Sequence, residues 1–578
     1  MRFTWKSRPS RENLIFLLIV AILIGFITGI LAVAFRYLLL LTTSFFWPDP
    51  LALLDVNRHY PWFLILAMPA IGGLVIGPLI SRFSPESRGA GVPDVIEAVV
   101  NREGNIKYRT ALFKTIFTSL SIGCGASVGR EGPVVHIGSS VGSSLAQLIK
   151  LPAEWKRVFL ACGAASGIAA TFNAPMAGML FAAEIILVDF HVSYLSHIAI
   201  SAVTATVVSH HFLGSLPTFQ VPLFEMVSYG ELPLYALLGF FAGLLSVLFI
   251  LSVSFVEDLF AKAKIPFSLR PAIAGLLLGL IAIGWPHVLG VGYETINLTL
   301  TSQMSVLLML TVLGLKLLAT ASSVGAGFSG GIFAPSLVLG SLLGGFYGAM
   351  IAQVIPGHIG TVAAYSLIGM GAVVAGTTLA PITAIFTIFE LTYNFEIILP
   401  LMTCCITSLV TVQKFYGYSI YETKLLRKGI RMVRGRDVNL LRSMEVDKFM
   451  IKNFESIRQD MLLVDILDKA EKSSYPHFPV LDYQGGLVGM LTMSDLKGFL
   501  AEVGELGKLV VASEIMTKRV VIVRPDDNFE TAFEIFEGKQ ISTLPVLSRN
   551  GELLGILKKS DLLLTYNQKV LKLNVRDN

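Results

Sequence analysis

The chain has 578 residues, 54% of them hydrophobic, and a mean hydropathy of +0.70, which excludes a water-soluble protein of this length. Its net charge of +5 is modest, but of 85 charged residues (45 Lys and Arg, 40 Asp and Glu) 42 lie from Arg431 onward. A membrane body to about residue 430 therefore precedes a charged, soluble domain whose mixed signs exclude a nucleic-acid partner.

The first apolar run, NLIFLLIVAILIGFITGILAVAF, exceeds the ~20 residues that cross a bilayer and is followed by no cleavage pattern, so it reads as a retained helix. Apolar segments fall near 14–42, 61–82, 109–122, 131–149, 156–171, 174–190 and 193–213. The second half offers 231–256, 268–290, 303–322, 332–354, 362–376, 380–393 and 396–412. Several are only 13–18 residues long, too short to cross alone unless they pair as re-entrant elements or line an aqueous cavity. Basic residues open the chain (MRFTWKSRPSR) and close its membrane part (KLLRKGIRMVRGR), which puts both termini in the cytoplasm. The four cysteines (Cys124, Cys162, Cys404, Cys405) all lie in apolar stretches, which speaks against a disulfide scaffold or a zinc site.

Beyond a linker at 431–445, FPVLDYQGGLVGMLTMSDLKGF (478–499) matches LPVLSRNGELLGILKKSDLLLT (544–565) at a shift of 66. Each copy reads as strand, turn, strand and helix, giving two small α/β units at 446–500 and 510–570.

The membrane part also repeats, in halves at about 14–213 and 231–412. A shift of 202 pairs Gly129 with Gly331, Pro133 with Pro335, Gly138 with Gly340 and Gly142 with Gly344. A shift of 206 pairs Gly163 with Gly369, Pro175 with Pro381 and Glu184 with Glu390. Two halves interrupted by Gly and Pro at matching places describe a transport protein with broken helices, the second half inverted relative to the first.

Three breaks suit an anion: Gly89 to Pro93 (GAGVP), Gly129 to Pro133 (GREGP) and Gly331 to Pro335 (GIFAP). Helix N-termini offer unpaired N–H groups and about half a positive charge, glycine admits the ion to the backbone, and proline at the first position removes no needed donor. Glu131 stands inside the second break. A carboxylate at an anion-binding helix end is itself an anion, so it competes for the site, and protonation would release it. The competing reading is that Glu131 caps its own helix or pairs with Arg130.

These motifs, with Tyr421 just after the last membrane helix, resemble the CLC chloride channels and transporters, many of which end in a pair of CBS domains. The resemblance implies an all-α polytopic membrane fold of inverted repeats with broken and re-entrant helices, followed by a cytoplasmic α/β CBS pair. It implies that Glu131 is the external gate and that the anion path runs past Ala90, Gly91, Arg130, Gly132, Ile332, Phe333 and Tyr421. The backbone amides of Ile332 and Phe333 and the Tyr421 hydroxyl would hold the central anion. It further implies a homodimer in the cell (plasma or inner) membrane, joined around 174–213 and 380–412, with chloride as substrate and no cofactor required.

Two positions differ from the family pattern. Ala90 stands where a serine hydroxyl is typical, which puts tight chloride selection in doubt. Ile185 stands where proton-coupled members carry the second of two glutamates, the internal proton relay, and isoleucine carries no proton. The reading leans towards a voltage- or pH-gated chloride channel, with a proton-coupled chloride antiporter as the alternative. A membrane receptor or enzyme is the distant third, since no nucleophile–base pair or metal cluster is visible. In the tail, Thr492 and Asp495 resemble the CBS nucleotide contacts, Asp561 is kept in the second copy, and Lys558 replaces its Thr or Ser. An adenine nucleotide in the cleft and a purely structural tail stand as equal readings. Gly325 to Gly330 matches GxGxxG but lies in a membrane stretch without the acidic partner, and His136, His477 and Glu390 read as structural.

Overall fold

The computed structural model describes residues 11–47, 54, 56–188, 190, 192–214, 219, 228–356, 360–430, 444–473, 475–497, 499, 507–539, 541–562 and 564. The basic opening to residue 10, the linker to residue 443 and the end of the second tail copy (565–570) lie outside them. The chain divides into two compact units, Met1–Met432 and Val433–Asn578.

The first unit is helical. Its first half contains α1 (Arg11–Phe46), α2 (Val56–His59), α3 (Trp62–Phe83), α4 (Val92–Asn101), α5 (Tyr108–Gly123), α6 (Glu131–Leu148), α7 (Ala153–Phe172), α8 (Pro175–Phe181) and α9 (Val192–Leu213). The second contains α10 (Leu232–Lys262), α11 (Arg270–Gly284), α12 (Tyr293–Leu300), α13 (Val306–Ala326), α14 (Phe333–Val354), α15 (Val362–Thr378), α16 (Pro381–Thr392), α17 (Ile398–Phe415) and α18 (Ile420–Arg427). Among the described residues, six helical stretches are long and apolar enough to cross a membrane. Leu244, Leu248 and Phe255 of α10 face outward while Ala242 and Phe249 are buried, the pattern of a helix between lipid and bundle.

The interior is built from α6 on α7 and, in the other half, α14 on α15. Close backbone approach explains the paired glycines. A methyl group at Gly138 would overlap the Gly163 carbonyl oxygen, and one at Gly340 would overlap that of Gly369, so the same crossing is made twice. Residues 363–378 of α15 are buried all round, as expected of a helix with no polar face.

Several expected segments are divided or shortened. The apolar run near 174–190 becomes α8 and then a π-helical turn at Ala182–Leu187. The run near 268–290 stops being α-helical at Gly284. Helices α4 and α12 fall outside the apolar segments, because Asp94 and Glu97 in one and Glu294 and Asn297 in the other break their hydropathy.

In the second unit β1 (Ile457–Arg458) pairs parallel with β2 (His477–Leu481), which pairs antiparallel with β3 (Leu487–Thr492). In the second copy β4 (Thr543–Leu547) pairs antiparallel with β5 (Leu553–Lys558), and both hairpins carry a register irregularity at the matching step. Helices α19 (Leu463–Lys472) and α20 (Met493–Lys497) belong to the first copy, α21 (Ala512–Ile515) links onward, and α22 (Phe529–Lys539) covers the second. Phe478, Val480 and Leu491 fill one core, and Leu544, Val546 and Leu557 fill the other.

Candidate functional site

The three glycine breaks meet. Gly129 N–H donates to the Gly331 carbonyl at 2.7 Å and Gly331 N–H returns a bond to Gly129 at 2.6 Å. Gly330 N–H donates to the Gly89 carbonyl at 3.3 Å. A methyl on Gly132 would lie 3.2 Å from both the Gly331 Cα and the Gly91 nitrogen, so a side chain there would push the breaks apart by a few tenths of an ångström. Helices α4, α6 and α14 therefore start from one locus, with Gly91, Arg130 and Ile332 as their N-caps. None of the three caps uses a side chain, which leaves the first N–H groups for something else.

Part of that role falls to Glu131. Its side chain is 1% exposed, and Oε2 accepts from the Ala334 N–H at 3.3 Å. The first residue of α6 thus caps the N-terminus of α14, in the other half. Oε1 accepts from the Tyr293 hydroxyl at 2.8 Å. The Arg130 guanidinium lies over the Tyr293 ring, 4.9 Å from its centroid, and Phe219 meets the same ring edge-on at 5.3 Å. Among the described residues Arg130 makes no ion pair with Glu131 within 4.0 Å, and the Glu131 carboxylate meets its own backbone N–H at the start of α6 as well as the Ala334 N–H of α14.

Towards the other side, a cavity of about 20 Å³ is bounded by Ala90, Pro93, Ile332, Ile420, Tyr421 and Lys424. That volume suits about one water-sized sphere. Ala90 and Tyr421 are buried, at 4% and 2% exposure. The structure thus gathers Ala90, Gly91, Gly132, Ile332 and Tyr421 around the convergence. The backbone of Arg130 caps α6 at this locus while its side chain turns away onto Tyr293, and Phe333 packs between Phe172 and Phe181 while its backbone opens α14.

Two buried lysines support the breaks. Lys114 Nζ lies 3.4 Å from Asp94 Oδ2, under the start of α4. Lys316, its counterpart at a shift of 202, donates to the Val288 and Gly290 carbonyls at 2.9 and 3.0 Å under the start of α12.

Ile185 is buried within the π-helical turn. Beside it the Glu184 carboxylate accepts from Ile382 N–H at 3.2 Å and from Thr383 N–H at 2.7 Å. His136 sits in the interior with Nδ1 unpartnered, and no group of three metal-ligating side chains occurs among the described residues.

In the tail, the Thr492 hydroxyl donates to Asp495 Oδ2 at 2.8 Å, so these two side chains engage each other. Lys558 Nζ lies 4.5 Å from the centre of the Tyr475 ring, and Asp561 accepts from Ser560 at 3.0 Å. His477 does more than fill space: its ring nitrogens lie 3.2 Å from Ser542 Oγ and 3.2 Å from Thr543 Oγ1, joining the two copies.

Sequence reasoning missed Tyr293. A signal exists, since Gly290-Val-Gly292-Tyr293 repeats Gly89-Ala-Gly91-Val92 at a shift of 201, one residue from the shift that relates the other breaks.

Comparison with known proteins gives the family. Residues 72–413 match the family described as voltage gated chloride channel, and residues 446–502 and 512–567 match the CBS domain. A putative chloride channel protein ClcB-like from Ralstonia nicotianae is 34% identical over 415 residues, 71% of this chain and 97% of the relative. The H(+)/Cl(-) exchange transporter ClcA of Yersinia pestis is 30% identical over 432 residues, 73% of this chain and 89% of its own. The solved structure of a slow cyanobacterial Cl-/H+ antiporter superposes with a TM-score of 0.65 at 26% identity, covering 71% of this chain and 97% of that one. The chain belongs to the CLC family of voltage-gated chloride channels and transporters, as a polytopic membrane protein with two CBS domains.

Proposed function

We propose that this protein carries chloride and similar small anions across the membrane through the convergence of α4, α6 and α14, with Glu131 as the gate. The observation that carries this reading is the Glu131 carboxylate resting on the Ala334 N–H, where an incoming anion would take the same bond. Displacement or protonation of Glu131 opens the path. The Ile332 and Phe333 amides and the Tyr421 hydroxyl receive the ion at the centre, with Ala90, Gly91 and Gly132 close behind and Arg130 at the outer approach.

The protein acts as a gated channel, a reading supported by Ile185, which offers no proton carrier at the inner relay position. The second reading is a proton-coupled antiporter, favoured by the relatives named as H(+)/Cl(-) exchangers. Reconstituted vesicles separate the two. An imposed chloride gradient drives anion flux alone in a channel, whereas uphill proton movement would establish the antiporter.

Two copies pair through α8, α9, α16 and α17, where Val203, Val207, Ile382, Ile406 and Val410 are exposed. Both termini and the CBS pair, at 446–500 and 510–570 beyond a linker at 431–445, lie in the cytoplasm of a cell with the protein in its boundary membrane. Thr492, Asp495 and Asp561 are the groups that would meet an adenine nucleotide. A ligand-induced rise in the melting temperature of the full chain tests this, and the absence of any rise leaves the tail a structural role.

A further inference from the structure

We infer that Lys424 is the anion-attracting cation of the inner mouth, giving a cytoplasmic anion the attraction that Ala90 cannot supply. The inference rests on the reading that anions pass by Ile332 and Tyr421, and it names what draws them there.

Ala90 borders the small cavity and has no hydroxyl with which to donate a hydrogen bond. Lys424 borders the same cavity. It stands three residues after Tyr421 on α18, so the two side chains share a helix face. A methyl on Gly89 would lie 2.7 Å from Lys424 Nζ, which puts the ammonium against the backbone of the first glycine break, next to Ala90.

The neighbouring cations are all occupied. Lys114 pairs with Asp94 at 3.4 Å, and Lys428 pairs with Asp94 and Glu97 at 2.9 Å each. Arg427 pairs with Asp258 at 2.9 Å and Glu257 at 3.3 Å. Lys424 alone of the four has no carboxylate within 4.0 Å among the described residues, although its side chain is half-buried. The nearest carboxylates, Glu257 on the same cavity and Asp94, are engaged by Arg427, Lys114 and Lys428, so a mobile anion in the cavity is the counter-ion that can come closest to the half-buried ammonium. An ammonium acts as a compact point charge, whereas a hydroxyl imposes a direction. Attraction through Lys424 is therefore strong for any small anion and discriminates little between chloride, bromide and nitrate.

The test uses the full chain in planar bilayers of known orientation, with chloride varied on the CBS side and impermeant gluconate holding ionic strength constant. Lys424→Met is expected to raise the half-saturating chloride concentration about tenfold. Lys424→Arg keeps it within about twofold, and added salt narrows the gap between wild type and Lys424→Met. Introducing Ala90→Ser into Lys424→Met recovers affinity and sharpens chloride over nitrate. Lys424→Gln carries the same expectation as Lys424→Met should the latter fail to assemble. An unchanged half-saturation in the neutral variants overturns the role of Lys424 while leaving the pore in place. Absence of chloride flux in the wild type overturns the pore reading, and this inference with it.

Discussion

Glu184 and Glu390 each cap a helix in the opposite half of the molecule. Glu184 accepts from Ile382 and Thr383 at the start of α16, and Glu390 accepts from Met176 and Ala177 at the start of α8, at 2.9 and 2.7 Å. Each carboxylate answers the unpaired N–H groups and the positive end of its partner helix, so the two halves are fastened reciprocally. Neither belongs to the convergence around Glu131. Replacing Glu390 by Ala is expected to cost about 1–2 kcal/mol. Thermal unfolding in detergent reads the loss, and the anion preference of the folded fraction stays unchanged.

Tyr293 holds Glu131 by one hydroxyl. Tyr293→Phe keeps the ring under Arg130 and removes that donor, weakening the carboxylate's hold on the site by about 1 kcal/mol. Chloride then competes more easily, and flux at subsaturating chloride rises a fewfold. A fall in flux would mean that the hydroxyl serves the passing anion instead.

On the proposed gating role, Glu131→Gln removes the charge that competes with chloride and the group that titrates. Anion flux in that variant is expected to lose its dependence on pH between 4 and 8, measured by chloride efflux from vesicles. A dependence equal to that of the wild type would move the gate elsewhere.

The tail has its own response to acid. Partial burial holds His477 below the usual imidazole range, and the nearby Lys558 cation pushes in the same direction. The folded tail thus binds fewer protons than the unfolded chain. Stability is present above the ordinary imidazole pKa and is lost as pH falls through that value towards the lower folded one. Protection factors, each referred to the intrinsic amide rate at its own pH, are expected to fall around 477–481 and 543–547 in the full chain between pH 7.5 and 5.5, and His477→Asn is expected to abolish the difference.

The repeats made much of this readable beforehand. Glycines that must lie under a carbonyl, such as Gly138 and Gly340, tolerate no substitute and so align at a fixed shift. The breaks around Gly129 and Gly331 were legible for the same reason. Partners across the two halves were not. The shift relates equivalent residues, whereas Glu184 meets Thr383 at a separation of 199 that no pattern within either half encodes. Tyr293 escaped notice because α12 is only eight residues long and carries Glu294 and Asn297, so its hydropathy resembles a loop. The small cavity beside Tyr421 was not legible either, since Lys424 looked like one of several basic residues closing the membrane part.

Anion passage through the convergence requires that an ion can take the N-terminus of α14 from Glu131. Anomalous diffraction from bromide-soaked crystals of Glu131→Gln should show an ion within hydrogen-bonding reach of the Phe333 and Ala334 amides, at the position the wild-type carboxylate holds. An empty site there, with bromide bound only elsewhere, would contradict it.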